Sequence, residues 1–289
     1  MQTEERVVGS VAALWRYPVK SMSGEAISSS VVTKRGLLGD RAYAAVDLFS
    51  GKVASAKHPR KWARLLECQA EYLAPPMPGK RLPPVQITLP DGLSVTSNQS
   101  SVHQALTEAL GYDVALLSET MGPATYEKEW LEVEGMPYQN VVTEMPLVEG
   151  PEGSTFFDAA SVHLLASSTL SRLQAHYPAG DFDARRFRPN IVIDLAPDVQ
   201  ETIETAWVDG TLAIGDEVRL VVVAPCVRCV MTTLPQGDLP PDPQILRTVA
   251  QHSRANFGTY GALPSVGIYA DVISPGVIQC GDPIRFVYT

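Results

Sequence analysis

Two cysteines and an arginine stand close together in the segment Pro225-Cys226-Val227-Arg228-Cys229, directly after an apolar run at residues 220–224. A thiolate is a soft ligand that suits soft or high-valent metal ions. A neighbouring guanidinium favours the thiolate because it lowers the pKa of the thiol. The Cys-x-x-Cys spacing alone is also typical of redox pairs, of half a zinc site and of core cysteines. The segment therefore indicates a metal or redox site without choosing between these alternatives.

Composition limits the class of protein that carries this segment. The chain has 289 residues, of which 45% are hydrophobic, so it can form one large or two ordinary domains with a substantial core. The net charge of −9 argues against a general nucleic-acid-binding protein. Residues 1–64 nevertheless hold 11 Lys/Arg and 5 Asp/Glu. This block favours a local anionic ligand such as a phosphate, although a solvated basic face is the commoner explanation of charge alone.

Cysteine usage and the start of the chain indicate the compartment. Four cysteines are too few and too scattered for a disulfide scaffold. The first five residues are acidic and polar, unlike a signal peptide, and no apolar run approaches the ~20 residues of a membrane helix. We expect a cytoplasmic protein without membrane contact. Cys68, Cys226 and Cys280 are expected to be buried core residues, since cysteine is among the most buried residue types.

The elements that must position the cysteine segment are mostly short strands. In the first part of the chain, strands are predicted at residues 7–15, 26–33, 41–47, 53–56, 85–89, 93–96 and 113–117. The turn Pro90-Asp91-Gly92 joins two of them, and the helical spacing over residues 101–110 predicts a helix that ends at Gly111. Strands at this spacing favour a barrel or sandwich. We place a domain boundary so that residues 1–118 and 119–289 form two domains.

The second part is also rich in strands and has a few helices, so the fold class is β-rich α+β. Residues 118–157 lack periodicity and contain four prolines and four glycines, which predicts a loop or lid. Residues 234–243 are similar. A helix over residues 167–176 is expected to be capped by Ser167, and a second helix is predicted at residues 245–253. Strands are predicted at residues 162–166, 190–194, 212–223 (a hairpin turning at Gly215-Asp216), 265–272 and 283–288.

Five segments occur in an order that resembles the MOSC superfamily (the molybdenum cofactor sulfurase carboxy-terminal domain), in particular the branch of amidoxime-reducing components. They are Tyr17-Pro18-Val19-Lys20-Ser21, Gly39-Asp40-Arg41, Phe187-Arg188-Pro189-Asn190-Ile191, Pro225-Cys226-Val227-Arg228-Cys229 and Gly281-Asp282-Pro283. The resemblance covers nearly the whole chain. It implies a MOSC amino-terminal β-barrel over residues 7–118, followed by a MOSC β-barrel domain with a few helices.

The resemblance also implies a molybdenum cofactor, in which molybdenum is held by a pterin dithiolene and one protein cysteine. Cys229 matches the position of that metal ligand and is the expected catalytic residue. Lys20, Ser21 and Arg41 match positions that contact the cofactor, and their donors suit its phosphate. Further positions near the pterin or metal are matched by Arg188, Asn190 and Arg228. The five histidines form no HxxxH or HxH pair, so none is assigned to a metal.

From this resemblance we expect a molybdenum-dependent oxidoreductase that reduces N-hydroxylated compounds such as amidoximes and hydroxylamines. No ferredoxin-type cysteine spacing follows, so electrons are expected from a separate redox protein. Two other hypotheses stay open. The protein could be a sulfur carrier that holds a persulfide on Cys229, or a non-catalytic β-barrel binding module whose Cys226 and Cys229 form a structural or redox-sensing pair.

Overall fold

The computed structural model describes residues 4–119, 122–130, 141–150, 153–154, 156–199 and 204–288. In chain order, its strands are β1 (Glu4–Arg16), β2 (Glu25–Ile27), β3 (Ser29–Thr33), β4 (Gly36–Leu37), β5 (Ala44–Asp47), β6 (Gln69–Tyr72), β7 (Val85–Thr88), β8 (Ser94–Thr96), β9 (Val114–Leu117), β10 (Thr125–Trp130), β11 (Val141–Pro146), β12 (Glu149–Gly150), β13 (Gly153–Ser154), β14 (Val162–Ala166), β15 (Ile191–Leu195), β16 (Thr211–Ile214), β17 (Val218–Val227), β18 (Arg254–Asn256), β19 (Ala262–Ser274), β20 (Gly276–Gln279) and β21 (Pro283–Tyr288). The α-helices are α1 (Pro59–Trp62), α2 (Val102–Leu110), α3 (Ser167–His176) and α4 (Pro243–His252). Short 3-10 turns lie at Ala63–Glu67, Ala184–Phe187, Pro197–Val199, Glu204–Trp207, Val230–Thr233 and Gly258–Tyr260.

Seven strands close into a barrel, which confirms the β-rich fold. Their order is β14-β15-β1-β21-β16-β17-β19, and β19 pairs again with β14 to complete the circle. The neighbours are antiparallel except β14 and β15, which are parallel. Alternate side chains of these strands point inward and form a core that includes Leu14, Leu164, Ile193, Leu220 and Ile268. Closure leaves these seven strands without free edges.

The amino-terminal part of the chain both joins this barrel and builds a second core. β1 is a barrel strand, and β3 pairs with β20 near the carboxyl end. The sheet β6-β7-β8, the β5–β9 pair and α2 surround a separate apolar cluster that includes Trp62, Leu65, Ile87 and Leu106. Gly111 ends α2 with a positive φ of 77°, as the sequence predicts. Strands from both sides of residue 118 therefore share a sheet, and the boundary there stays a prediction.

The stretch predicted as a loop, residues 118–157, contains an antiparallel hairpin, so that prediction is wrong for its described part. β10 and β11 pair from Thr125↔Pro146 to Trp130↔Val141. The sequence of β10 lacks the usual apolar pattern of a strand, because its charged residues form ion pairs instead of lining an apolar core. The remainder of the predicted loop, at residues 120–121, 131–140, 151–152 and 155, lies outside the described residues.

Three smaller predictions need correction. Ser167 is the first residue of α3 and does not cap it; Ala166 holds the cap position, and the Ser167 hydroxyl lies 3.4 Å from Asp194 Oδ1. Cys280 is exposed, because it follows β20 in the turn before β21. Residues 53–56 contribute only isolated bridges, through Val53.

Among the described residues, no helix has the length and apolar character needed to cross a membrane.

Candidate functional site

The predicted cofactor residues lie in loops beside barrel strands and beside β5, and the fold brings them together. Lys20 and Ser21 follow β1, Arg41 precedes β5, and Arg188 and Asn190 lie just before β15. These five side chains line one cavity of about 60 Å³, which they share with Phe156, Phe157, Asp158, Ala159, Ala160, His163, Met231 and Tyr269. Five of the seven predicted site residues, separated by up to 170 positions in the sequence, therefore face the same space.

Three of these five residues have an unusual backbone. Ser21, Arg41 and Arg188 have φ values of 63°, 46° and 56°, in the left-handed region that favours glycine. Among the described residues, Asp209 is the one other non-glycine residue with a positive φ. Such a conformation costs a side-chain-bearing residue about 1–3 kcal/mol and clusters at functional sites. The protein keeps a serine and two arginines where glycine would be unstrained, which indicates that their side chains are needed.

Asp40 and Asn190 hold the Arg41 guanidinium in place through hydrogen bonds. Asp40 Oδ1 accepts a 2.7 Å hydrogen bond from the Tyr17 amide, and its Oδ2 accepts from Arg41 and, at 3.0 Å, from Asn190 Nδ2. The guanidinium carbons of Arg41 and Arg188 lie 4.5 Å and 4.3 Å from the centre of the Tyr17 ring. Tyr17 is fully buried, and burial raises its pKa to about 12, so it stays a neutral surface for both cations.

Two buried donors of the site have no partner among the described residues. They are Arg188 Nη1 and Arg228 Nε. A buried donor without an acceptor costs about 1–3 kcal/mol, and more when it is charged. Burial, aided by the nearby Arg41 charge, lowers the pKa of Arg188 to about 10. An anionic ligand rich in acceptors would satisfy these groups, so the site fits a pterin phosphate cofactor.

Lys20 is not a solvated lysine, because its ammonium group is buried against Asp158. Lys20 Nζ donates to Asp158 Oδ1 and, at 2.8 Å, to the Phe156 carbonyl, which leaves one N–H for a ligand. Asp158 Oδ2 lies 2.9 Å from Lys57 Nζ. Burial lowers the pKa of Lys20 to about 8. Burial also opposes ionisation of Asp158, but the two ammonium groups outweigh it and hold the pKa of this carboxyl well below its usual range.

Sequence reasoning missed Asp158 and Lys57. Asp158 follows two phenylalanines at the end of a stretch without periodicity, and Lys57 precedes a short helix like any surface lysine. Neither residue belongs to a recognisable motif. The excess of Lys/Arg in residues 1–64 is the one sequence signal that pointed to this region.

The two cysteines of the Pro225–Cys229 segment have different environments. Cys226 is fully buried, and its Sγ accepts a 2.7 Å hydrogen bond from Arg228 Nη1. Burial alone would raise the pKa of this thiol, but the neighbouring Arg228 guanidinium and, to a smaller extent, the His163 ring outweigh burial and lower the pKa to about 6. Cys229 lies just after β17, is partly exposed, and packs against the apolar cluster of Ala56, Leu66 and Met231. Cys229 is therefore the thiol that a ligand can reach.

Hydrogen bonds of Arg228 and Ser21 connect the cysteine segment and its apolar cluster to the rest of the site. Arg228 Nη2 donates at 2.7 Å to the Phe187 carbonyl, so it ties the cysteine segment to the turn that carries Arg188. Ser21 Oγ accepts a 3.1 Å hydrogen bond from the Ala56 amide, which leaves its hydroxyl proton to donate. Met231 belongs both to the wall of the small cavity and to the cluster that contacts Cys229. The cavity and the cysteine are therefore neighbours.

A larger cleft supplies the volume that the small cavity lacks. The 60 Å³ cavity has room for only a few water molecules. A cleft of about 950 Å³ shares Arg41, Phe156 and Phe157 with it. Cofactor and ligand sites commonly measure about 300–1,000 Å³. A pterin-sized group would therefore need this cleft as well as the cavity.

Comparisons with known proteins found relatives that align with nearly the whole chain. A chain named mitochondrial amidoxime-reducing component 1 of Homo sapiens is 28% identical, and its namesake from Mus musculus is 27% identical. Each alignment covers 96% of this chain and 82% of the relative. Among solved structures, the YUAD protein of Bacillus subtilis matches with a TM-score of 0.44 and 9% identity over 100% of both chains.

Two family models match the sequence itself. The model described as the MOSC N-terminal beta barrel domain matches residues 8–113, and the model described as the MOSC domain matches residues 151–285. Together they span most of the chain in the order that the five sequence segments predict. The chain belongs to the MOSC family.

Proposed function

We propose that this protein is a molybdenum-cofactor-dependent oxidoreductase that reduces N-hydroxylated compounds such as amidoximes and hydroxylamines. The observation that carries the proposal is the set of buried, unpartnered guanidinium donors of Arg188 and Arg228 beside the accessible thiol of Cys229. A ligand that combines phosphate, carbonyl and metal groups suits this donor set. The relatives named amidoxime-reducing components support the same substrate class.

Each residue has a distinct part in this proposal. The Cys229 thiolate would ligate the metal, and Arg188, Asn190 and Arg228 would donate to the pterin. The phosphate would be bound by Lys20, Ser21 and Arg41. When bound, the cofactor supplies the two electrons that cleave the N–O bond.

The reaction consumes two protons with the two electrons. For an amidoxime, R–C(NH2)=N–OH + 2e⁻ + 2H⁺ gives R–C(NH2)=NH + H2O. We propose that the electrons come from a separate redox protein. We also propose a reducing compartment such as the cytoplasm, because four scattered cysteines are too few for a disulfide scaffold.

The test is metal analysis of protein made in a host that synthesises the pterin cofactor. Wild type, Cys229→Ala and the control Cys280→Ala are compared, because Cys280 is an exposed cysteine outside the site. We expect near-stoichiometric molybdenum in the wild type and in Cys280→Ala, with benzamidoxime reduced at the expense of a reduced viologen dye. Cys229→Ala should lose at least about 1,000-fold in activity while staying folded.

Other outcomes would support the alternative functions. Cyanide-labile sulfur on Cys229 without molybdenum would support the sulfur carrier. Folded protein without cofactor, with a reversible Cys226–Cys229 disulfide, would support the binding module. Full activity and full molybdenum in Cys229→Ala would contradict the ligand assignment.

A further inference from the structure

One face of β10 turns toward the lysine cluster of the site. Side chains two positions apart on a strand point the same way, so Tyr126, Lys128 and Trp130 share a face. The Tyr126 ring centre lies 5.1 Å from Lys20 Nζ and 5.2 Å from Lys57 Nζ. The Tyr126 hydroxyl is also 3.4 Å from Lys57 Nζ. The face that carries Lys128 is therefore the one directed at Lys20 and Lys57.

The same face lies beside Cys229. Lys57 follows Ala56, which belongs to the apolar cluster that Cys229 contacts. The Glu129 amide donates a 2.8 Å hydrogen bond to the Lys57 carbonyl and so fixes β10 against this segment. Lys57 Nζ contacts Asp158, which lines the cavity with Met231. Lys57 and the face of β10 that carries Lys128 thus lie on the side of the site that holds the proposed metal ligand, and Cys229 is near enough to act electrostatically on both lysines.

Lys128 is held in place by an aromatic side chain. Its Nζ lies 3.4 Å from the centre of the Trp130 ring, and Trp130 Nε1 donates to Thr143 Oγ1 at 2.8 Å. Burial, together with the Lys57 charge, lowers the pKa of Lys128 to about 8. The ammonium group therefore stays mostly protonated at neutral pH, in a position that the strand and the indole ring fix.

The charge of this wall is positive. The ammonium groups of Lys20, Lys57 and Lys128 face one carboxylate, Asp158, which pairs with the first two. The acidic residues of β10 lie on its other face, where Glu127 pairs with Lys52 and His58, and Glu129 with Arg60. A substrate that carries negative charge on its N–O oxygen would complement the wall.

We propose that Lys57 and the Tyr126–Lys128–Trp130 face of β10 form the substrate wall of the site, and that this wall selects N-hydroxylated substrates whose oxygen ionises, hydroxamates being the simplest class. The inference rests on the proposed N-reductase function. The ionised substrate reacts as R–CO–NHO⁻ + 2e⁻ + 3H⁺ to give R–CO–NH2 + H2O. Lys128 is a specificity-determining residue in this scheme, because its charge pairs with an ionised N–O oxygen, which a neutral amidoxime lacks.

The experiment compares benzohydroxamic acid with benzamidoxime, which share a phenyl group and differ in the acidity of the N–OH group. Binding to the oxidised, cofactor-loaded protein is measured by calorimetry without reductant, and turnover is measured separately with reduced viologen. Lys128→Met removes the charge at nearly constant length, and Lys128→Arg restores it. Lys52→Met is the matched control, since Lys52 contacts the opposite face of β10.

We expect Lys128→Met to bind hydroxamate about tenfold more weakly, the effect of losing one charge-assisted contact, and to raise KM more than it lowers kcat. Amidoxime binding should weaken less than hydroxamate binding, because the amidoxime oxygen is neutral, and a molybdenum content equal to that of the wild type shows that the cofactor site is intact. Lys128→Arg should recover most of the hydroxamate affinity, and Lys52→Met should leave it unchanged.

The experiment tests the substrate wall and the proposed N-reductase function separately. Equal hydroxamate affinity in wild type and Lys128→Met, or an equal loss for both substrates, would overturn the substrate wall. A selective loss of hydroxamate affinity supports the wall whether or not product forms. Failure of the molybdenum-loaded wild type to reduce either substrate would overturn the proposed N-reductase function instead.

Discussion

Removing the carboxylate between the two site lysines should destabilise the cofactor-free protein. Asp158→Asn leaves Lys20 and Lys57 without their shared counter-ion, and their side chains are only 4% and 15% exposed. Removing one partner of a buried ion pair lowers the free energy of unfolding by about 3–5 kcal/mol, because a buried charge is left unpaired. At roughly 2 °C per kcal/mol for a chain of this size, Tm should fall by roughly 6–10 °C.

The cofactor should reduce this loss. A bound phosphate supplies negative charge to Lys20 in place of Asp158, so the molybdenum-loaded variant should lose less than half as much in Tm. The assay is thermal unfolding of both forms, followed by circular dichroism at pH 7. Asp238→Asn is the control, because Asp238 is 74% exposed beside Arg185; such surface pairs contribute about 0–1 kcal/mol.

The pH dependence of the Tm difference between wild type and Asp158→Asn tests whether the loss of stability is electrostatic. The pKa of Lys20 is lowered to about 8 in the folded protein, below the model-peptide value of about 10.4. Protonation of this lysine therefore favours the unfolded state, and more strongly in the variant, where its pKa is lower still. The difference in Tm should be largest near pH 6 and should narrow as pH rises toward about 8. A difference below about 1 °C at every pH, or one that grows with pH, would refute the electrostatic reasoning.

Three further predictions concern the site and its surroundings. Gly267→Ala should lower the free energy of unfolding in urea by about 2 kcal/mol or more, because Gly267 has φ +81° and an added Cβ would overlap His163 Nε2; an unchanged midpoint would contradict this. Cys226→Ala should cost about 1.5–3 kcal/mol in the same assay, since it removes the acceptor of Arg228 Nη1, and a neutral effect would show that Arg228 finds another partner. Cys280 should react fastest of the thiols with a disulfide reagent in the native protein. A fast phase that persists in Cys280→Ala would show that another thiol reacts fastest.

Local patterns in the sequence predicted most strands and helices, because their causes are local. The turn Pro90-Asp91-Gly92 joins β7 and β8 with the expected pairing, and Gly111 ends α2 in the left-handed conformation. Alternating or continuous apolar residues mark the strands whose faces contact a core. These features depend on residues within a few positions of one another.

The parts that the sequence did not predict depend on distant contacts. Lys20 and Asp158 are 138 positions apart, and nothing near either residue indicates the other. β10 was missed because its two faces contact lysines and ion pairs, so its residues lack the apolar alternation on which strand prediction relies. The order of the segments indicated the barrel through a family resemblance, whereas no local pattern could predict that β19 returns to pair with β14.

The pairing of β1 with β21 also determines when, during synthesis, the barrel can close. Glu4 of β1 is opposite Tyr288 of β21, so the barrel cannot close until the ribosome has synthesised β21. At about 5–20 residues per second, β1 must wait tens of seconds for its partner, a delay in which chaperones can protect its apolar side. Topologies with such distant pairings fold slowly. A fragment limited to residues 151–289 would therefore lack one of the seven barrel strands.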